Sequence, residues 1–396
     1  MIRTPLVGVV LLALAGCGPD SPETTEEIAA SGGSSGAAAD SADTTAPQIV
    51  GTPVNLVLSG FHTNINETDP SKAAWQLFVA LNQPVHPDTV VWETWPSAAY
   101  VFGDPNREIE WPGDRSRRVL DLMPVQQTLF QDVIRDQSER EGRPTPRFEP
   151  VPRSEVRMNR AAFQWIKTFN MWYLRDTRQS DYMGQEGHYE AYKDGVIPDV
   201  SLPYGSITIK AAWIPIPDSL RAGYFTRTVD DTLFGLNAFH IAAKNLPNWF
   251  WATWENVRNP RREAVTYPDT YGLIAGTNLV SPELIAYFEN AGMDTSLWNQ
   301  YRLNGTQTNF TDAQGHPTRL ANSVLEAGFT ARSSCMTCHA RSTIGKDADR
   351  LDAFEHIHMG TPHPHWFSGR EDTTAKKYLQ LDFMWSFARA KARTRD

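Results

Sequence analysis

Two of the three cysteines in the chain stand in SSCMTCHARS, residues 333–342, with His339 directly after Cys338. Two intervening residues let both sulfurs face one edge of a planar macrocycle. The adjacent imidazole can then ligate a metal at its centre. Cys-x-x-Cys-His is the attachment signature of c-type haem, in which each thiol becomes a thioether to a vinyl group. Two other chemistries use the same sulfurs. A redox disulfide needs only Cys-x-x-Cys, but its usual setting is a thioredoxin-like βαβ pattern, which does not surround residue 335. Zinc could take Cys335 and Cys338 with two of His356, His358, His363 and His365, but it has no need of a His right after the second Cys. The expectation is one covalent haem c, with Cys335 and Cys338 as thioethers and His339 as the proximal iron ligand.

The motif does not supply the second axial ligand. Met384 follows His339 by a separation that suits a Met ligand, although a Met among aromatics is also ordinary core filler. Met359 lies within the His-rich HIHMGTPHPHW, whose four histidines are themselves potential ligands and which otherwise reads as a solvated turn. His240, in NAFHIAAK, sits mid-strand between apolar residues. It is either a distal ligand or a hydrogen-bonded core histidine. In the first case Lys244, on the same strand face, can pair with a haem propionate. The choice has consequences, because Met raises the reduction potential relative to a second His and an empty position admits external ligands. Trp249, Trp251 and Trp254 read as core. The basic RAKARTRD at 389–396 reads as a solvated helix end.

The opening MIRTPLVGVVLLALAGC carries Arg3, an apolar run from Leu6 to Ala15, and then Gly16-Cys17. The run is too short to span a bilayer and reads as a secretory signal. Leu14-Ala15-Gly16-Cys17 resembles the lipobox of bacterial lipoproteins, which implies cleavage before Cys17 and a diacylglycerol on its thiol. Residues 18–47 hold six acids, no base and no aromatic residue, the composition of a flexible tether. Its mean reach is about 30 Å. The chain's net charge is −9, or −10 once a signal carrying Arg3 is cleaved, and six of those charges lie in this tether, leaving about −4 on the body. That balance offers no general basic surface and argues against a nucleic-acid partner. Gly18 is not the Asp that holds many lipoproteins at the inner membrane. The expected place is the periplasmic side of a bacterial membrane, with the outer membrane slightly favoured.

SSCMTCHA beside an exported, lipid-anchored N-terminus resembles bacterial mono-haem c-type cytochromes. EVRMN (155–159), IKAAW (209–213), GLNAFHIAAK (235–244), WFWATWENV (249–257) and LDFMWS (381–386) resemble a family of large periplasmic cytochromes c of poorly defined function. The resemblance spans most of the body. It implies haem binding and electron transfer, and at residue level it extends to Cys335, Cys338 and His339 only.

Helical spacing is expected over 71–84, capped by Ser71, and from Asn159 to about Arg175. It resumes over 281–291, 319–329 and 374–393. Residues 85–150 read as irregular apart from strand-like VVWETW at 90–95. From 204 to 257 the period alternates. YGSITIKAAWIPI, YFTRTV, LFGLNAFHIAA and NWFWATWEN are strands, with turns at VDDT and KNLPN. The expected class is α+β: an antiparallel β-meander packed with helices, followed by a mostly helical haem-binding segment. The expected division is a signal over 1–16, lipidated Cys17 and tether over 17–50, an α+β body over 51–318, and the haem-binding segment over 319–396. The function expected is a lipid-anchored electron carrier with a redox partner protein. Two alternatives stay open: a haem enzyme, peroxidase- or oxidase-like, with an open distal site in the large body, and a zinc-stabilised periplasmic binding module.

Overall fold

The computed structural model describes residues 69–112, 123–124, 142, 153–176, 184–197, 199–259, 269–326, 330–351, 359–362 and 378–394. Cys17, the tether and all four histidines of the 356–365 cluster lie outside the described residues. Those described all fall within one compact unit, Pro47–Asp396. Among them no helix is long and apolar enough to cross a membrane.

The first helix, α1 (Pro70–Asn82), starts where Asp69 Oδ1 accepts the amide of Ser71 at 2.9 Å, with Pro70 in the first turn. The cap is therefore Asp69, and Ser71 lies inside: proline suits the first helical position, so the boundary must precede it. The hairpin β1 (Pro84–His86)–β2 (Thr89–Val90) follows. The expected strand at 90–95 is instead mostly a 3-10 turn, Val91–Thr94. Glu93 Oε2 accepts the Val90 amide at 3.1 Å, and the turn buries Trp92 and Glu93. After it come α2 (Ala98–Phe102) and the short strand β3 (Met123–Pro124).

Strands β4 (Arg153–Met158), β5 (Ile207–Pro215), β6 (Thr226–Val229), β7 (Thr232–Ala243), β8 (Phe250–Asn256) and β9 (Tyr301–Gln307) join β3 in a seven-stranded sheet. Every described pairing in it is antiparallel. Together with the helices it makes an α+β fold. The spatial order is β3-β4-β5-β7-β8-β9. β6 pairs with residues 232–235 of β7, opposite the edge that β5 uses, so β7 is the central strand. The β6–β7 hairpin turns on Asp230 and Asp231, at φ 46° and 60°, as the VDDT signal predicts.

Period-two alternation divides the sheet residues between two cores. Ile209, Ala211, Phe239, Ile241, Phe250, Ala252, Trp254 and Leu303 meet α1, α5 (Pro282–Asn290) and α6 (Thr295–Trp298) in one. Phe78 of α1 lies 5.0 Å from Trp254, centroid to centroid. The second core holds Ala242 and Trp251 from the opposite face. It adds α3 (Arg160–Thr168), α4 (Gly184–Lys193) and the end of the chain. α3 has the expected cap, Asn159, which accepts the Ala162 amide at 3.2 Å. It stops short of Arg175, with Asn170 turning the chain out at φ 56°.

The expected C-terminal helices are not found among the described residues. Residues 320–326 form turns. After 377 come β11 (Leu379–Gln380), paired with β10 (Thr343–Ile344), and a 3-10 turn, Trp385–Arg389. Leu379, Phe383 and Phe387 are all buried, but the i, i+4 spacing reflects a strand and a tight turn burying them from several sides. The only α-helix described beyond residue 319 is short: α7, Cys335–Ala340.

Candidate functional site

α7 begins at Ser334, whose Oγ accepts the Thr337 amide at 3.2 Å. Gln307, the last residue of β9, holds the same end. Its Nε2 donates to Ser334 Oγ at 2.8 Å, and its Oε1 accepts the Met336 amide at 3.0 Å. At the far end Trp385 Nε1 donates to Cys338 O at 3.2 Å, and Gln380 Nε2 donates to Ala340 O at 3.0 Å. Met336 and Ala340 sink fully into the second core. A helix of one and a half turns is marginal alone, so these side chains fix it. Spacing of three and four residues places Cys335, Cys338 and His339 on one helical face.

Both sulfurs are free, with Cys335 buried and Cys338 half-buried. Cys335 Sγ donates to Leu320 O at 3.5 Å. Burial raises the Cys335 thiol well above its ordinary value and pushes Cys338 up to about 11. These sulfurs sit as neutral thiols. A reactive dithiol needs a depressed value, so this setting works against a redox disulfide. It suits a neutral thioether.

His339 is held from behind. Its Nδ1 lies 2.7 Å from Phe383 O. A carbonyl only accepts, so Nδ1 carries the proton and Nε2 keeps its lone pair. Its ring is half-buried against Trp251, at a centroid distance of 4.5 Å. Burial lowers the His339 imidazole to about 4, outweighing the opposing Phe383 hydrogen bond; Lys210 lowers it further. It is therefore neutral at pH 7. A neutral imidazole with one nitrogen fixed by a backbone carbonyl is the form that binds iron or zinc.

A polar row runs across the sheet near His339. The register places Lys210 of β5 opposite His240 of β7, and His240 opposite Thr253 of β8. Trp251, two residues from Thr253, is paired with Ala242, so His240 is its diagonal neighbour at about 7–8 Å. His240 is half-buried, and its Nε2 lies 3.4 Å from Thr253 Oγ1. Asn322 Nδ2 donates to the same hydroxyl at 2.9 Å. Burial, with Lys210 and His339 adding to it, holds His240 well below its ordinary value. Burial also lowers Lys210, with Glu326 opposing and Arg389 reinforcing. Glu326, whose Oε2 accepts the Asn322 amide at 2.8 Å, is raised to about 7 by burial. Sequence reasoning missed Lys210 and Glu326. Lys210 was legible only through the alternation of β5, which puts it on the face His240 shares.

The other distal candidates stand elsewhere. Met384 adjoins Phe383, whose carbonyl occupies the Nδ1 side of His339, and it is buried in the second core. It lies behind the proximal imidazole, in an extended residue before a 3-10 turn rather than a helix. Met359 is half-buried beside Gly360, whose carbonyl accepts Thr337 Oγ1 at 2.7 Å, on the helix face away from Cys335 and His339. Of the three, His240 is the one whose imidazole lies near enough to His339 for the two to act on each other electrostatically. Lys244 does not remain available for a propionate. It is buried and pairs with Asp382 Oδ1 at 2.6 Å. Trp249, Trp251 and Trp254 are all buried as core, and Trp251 also touches His339. Among the described residues, no three His, Cys, Asp or Glu side chains form a ready metal cluster.

Comparison of the chain with protein-family models, curated proteins and solved structures gives no match.

Proposed function

We propose that the protein is a c-type cytochrome, anchored by a lipid on Cys17 at the periplasmic side of a bacterial membrane, that passes single electrons. The observation that carries this reading is the Nδ1–H of His339 bound to Phe383 O at 2.7 Å, which leaves Nε2 free on the same helical face as two unpaired sulfurs. Cys335 and Cys338 would hold a haem through thioethers, and His339 would ligate its iron. The residues fit that group: the sulfurs are neutral, the imidazole is neutral, and its tautomer is set. When bound, the haem supplies an iron that alternates between two oxidation states.

The chain's own part is to orient and to shield. Phe383 O fixes the proximal ring, and Trp251 covers its side against water. His240 is the distal ligand in this reading, since of the three candidates it is the imidazole in electrostatic reach of His339. Lys210 replaces Lys244 as the propionate partner. Lys210 is half-buried, and Glu326 and the two cysteines lie near enough to favour its charged form. Two protein ligands leave no position for an external molecule, which favours a carrier over an enzyme. A membrane lipid and a redox protein are then its partners.

Absorption spectra of the haem-loaded body test this reading, taken oxidised, reduced, and reduced under carbon monoxide. A low-spin spectrum unmoved by carbon monoxide is expected. A high-spin spectrum that shifts would replace the carrier with the haem-enzyme reading, and a colourless protein would remove both.

A further inference from the structure

The carbonyl that holds His339 belongs to a strained turn. Met384 N donates to Leu381 O at 3.0 Å, and the two central residues, Asp382 and Phe383, stand at φ 43° and 65°. Both central angles positive is the type I′ pattern, which glycine and asparagine favour. Asp tolerates it, but a phenylalanine there is an outlier. Such a conformation persists only where its surroundings over-determine it.

Asp382 supplies that over-determination. Its Oδ2 accepts the Leu202 amide at 2.6 Å. Its Oδ1 accepts Lys244 Nζ at 2.6 Å and Trp249 Nε1 at 3.1 Å. Lys244 also donates to Pro247 O at 3.0 Å. Trp249 is itself at φ 63°, so two strained turns clasp each other. Asp382 and Lys244 are 4% and 5% exposed, which makes this a buried ion pair. The pair joins the chain before β5, the end of β7 and the start of β8 to the residue beside Phe383. It ties the large sheet to the back of the proximal imidazole.

We infer that Asp382, Lys244 and Trp249 are positioning residues for His339. They lock the turn that aims Phe383 O at Nδ1, and through that hydrogen bond they set how strongly His339 donates to iron. The inference rests on the haem reading above and deepens it. A firm Nδ1–H···O bond raises the basicity of the ligating nitrogen and favours the oxidised iron. Loosening the turn weakens that bond, so the reduction potential rises.

The test is the reduction potential of the haem-loaded protein in three variants. Lys244→Met with Asp382→Asn removes the pair at constant net charge, so a shift does not come from a changed local charge. Trp249→Phe removes one donor and keeps the ring, and it serves if the double variant fails to fold. Asp269→Asn is the control. It loosens Trp75, whose Nε1 donates to Asp269 Oδ2 at 2.8 Å in the core on the other face of the sheet. The expected result is covalent haem in all three, an upward shift in the double variant, a smaller one in Trp249→Phe, and none in Asp269→Asn. Haem-loaded variants with an unmoved potential, or a control that shifts as far, would overturn this inference alone. A wild-type chain that takes up no haem would overturn the haem reading as well.

Discussion

The two faces of the central sheet are built from the same strands and do different work. On one, Trp75, Phe78, Phe239, Trp254 and Tyr301 close an apolar core, with Phe78 and Trp254 5.0 Å apart. On the other, the strands present Lys210, His240, Thr253 and Glu255 among alanines, and α7 lies nearby with its two sulfurs and imidazole. Glu255 is fully buried there and accepts from Asn259, Asn304 and both the amide and hydroxyl of Ser323. A carboxylate that well satisfied is structural. The first face is where stability resides. The second spends apolar area on polar groups, some half-buried, and strained turns, which a fold retains only at a site with another use.

If that division is right, variants on the two faces should fail differently. Replacing both Cys335 and Cys338 by Ala should abolish covalent haem completely while a folded body remains, checked by colour on a denaturing gel and by circular dichroism. Trp254→Ala, on the other face, should cost about 3–5 kcal/mol of stability in a urea titration. The surviving folded protein should keep its haem spectrum. His240→Ala removes a half-buried ring with one 3.4 Å contact, so its stability loss should stay near or below about 1 kcal/mol. Its reduced spectrum should nonetheless gain a carbon monoxide band. Equal destabilisation by Trp254→Ala and His240→Ala, or a spectrum that answers to both, would erase the contrast.

The smallest effect concerns Glu326. Its carboxyl is raised from 4.5 to about 7 in the fold. The folded chain therefore binds this proton more tightly than the unfolded chain. The associated stability is fully present below pH 4.5 and is lost as pH rises through 7. Unfolding midpoints of wild type should fall across that window relative to Glu326→Gln, whose curve lacks this component.

Much of this arrangement was legible in the chain. Alternation from 207 to 256 gave four strands of the sheet and placed His240 on one of them, but Lys210 was missed although the alternation of β5 sets it opposite His240. β4 was missed because its polar residues are buried by pairing. Arg157 Nε meets Glu155 Oε2 at 2.8 Å, and both side chains read as solvent-facing in a hydropathy pattern. β9 was missed because Gly305 sits where its register shifts against β8. The C-terminal helix was expected from Leu379, Phe383 and Phe387, whose spacing a strand followed by a turn reproduces once both sides are covered. The clasp of Lys244 on Asp382 joins residues 138 positions apart. No local signal marks such a pair. Asp382 fell within the helix expected over 374–393, and Lys244 was read as a partner for a haem propionate.

The most direct test is the mass of the wild-type chain, purified under denaturing conditions from a host with haem-attachment machinery. The expected result is one haem retained per chain, mapped to the peptide that contains Cys335 and Cys338. A chain at its haem-free mass, with zinc bound one to one in the native protein, would contradict it.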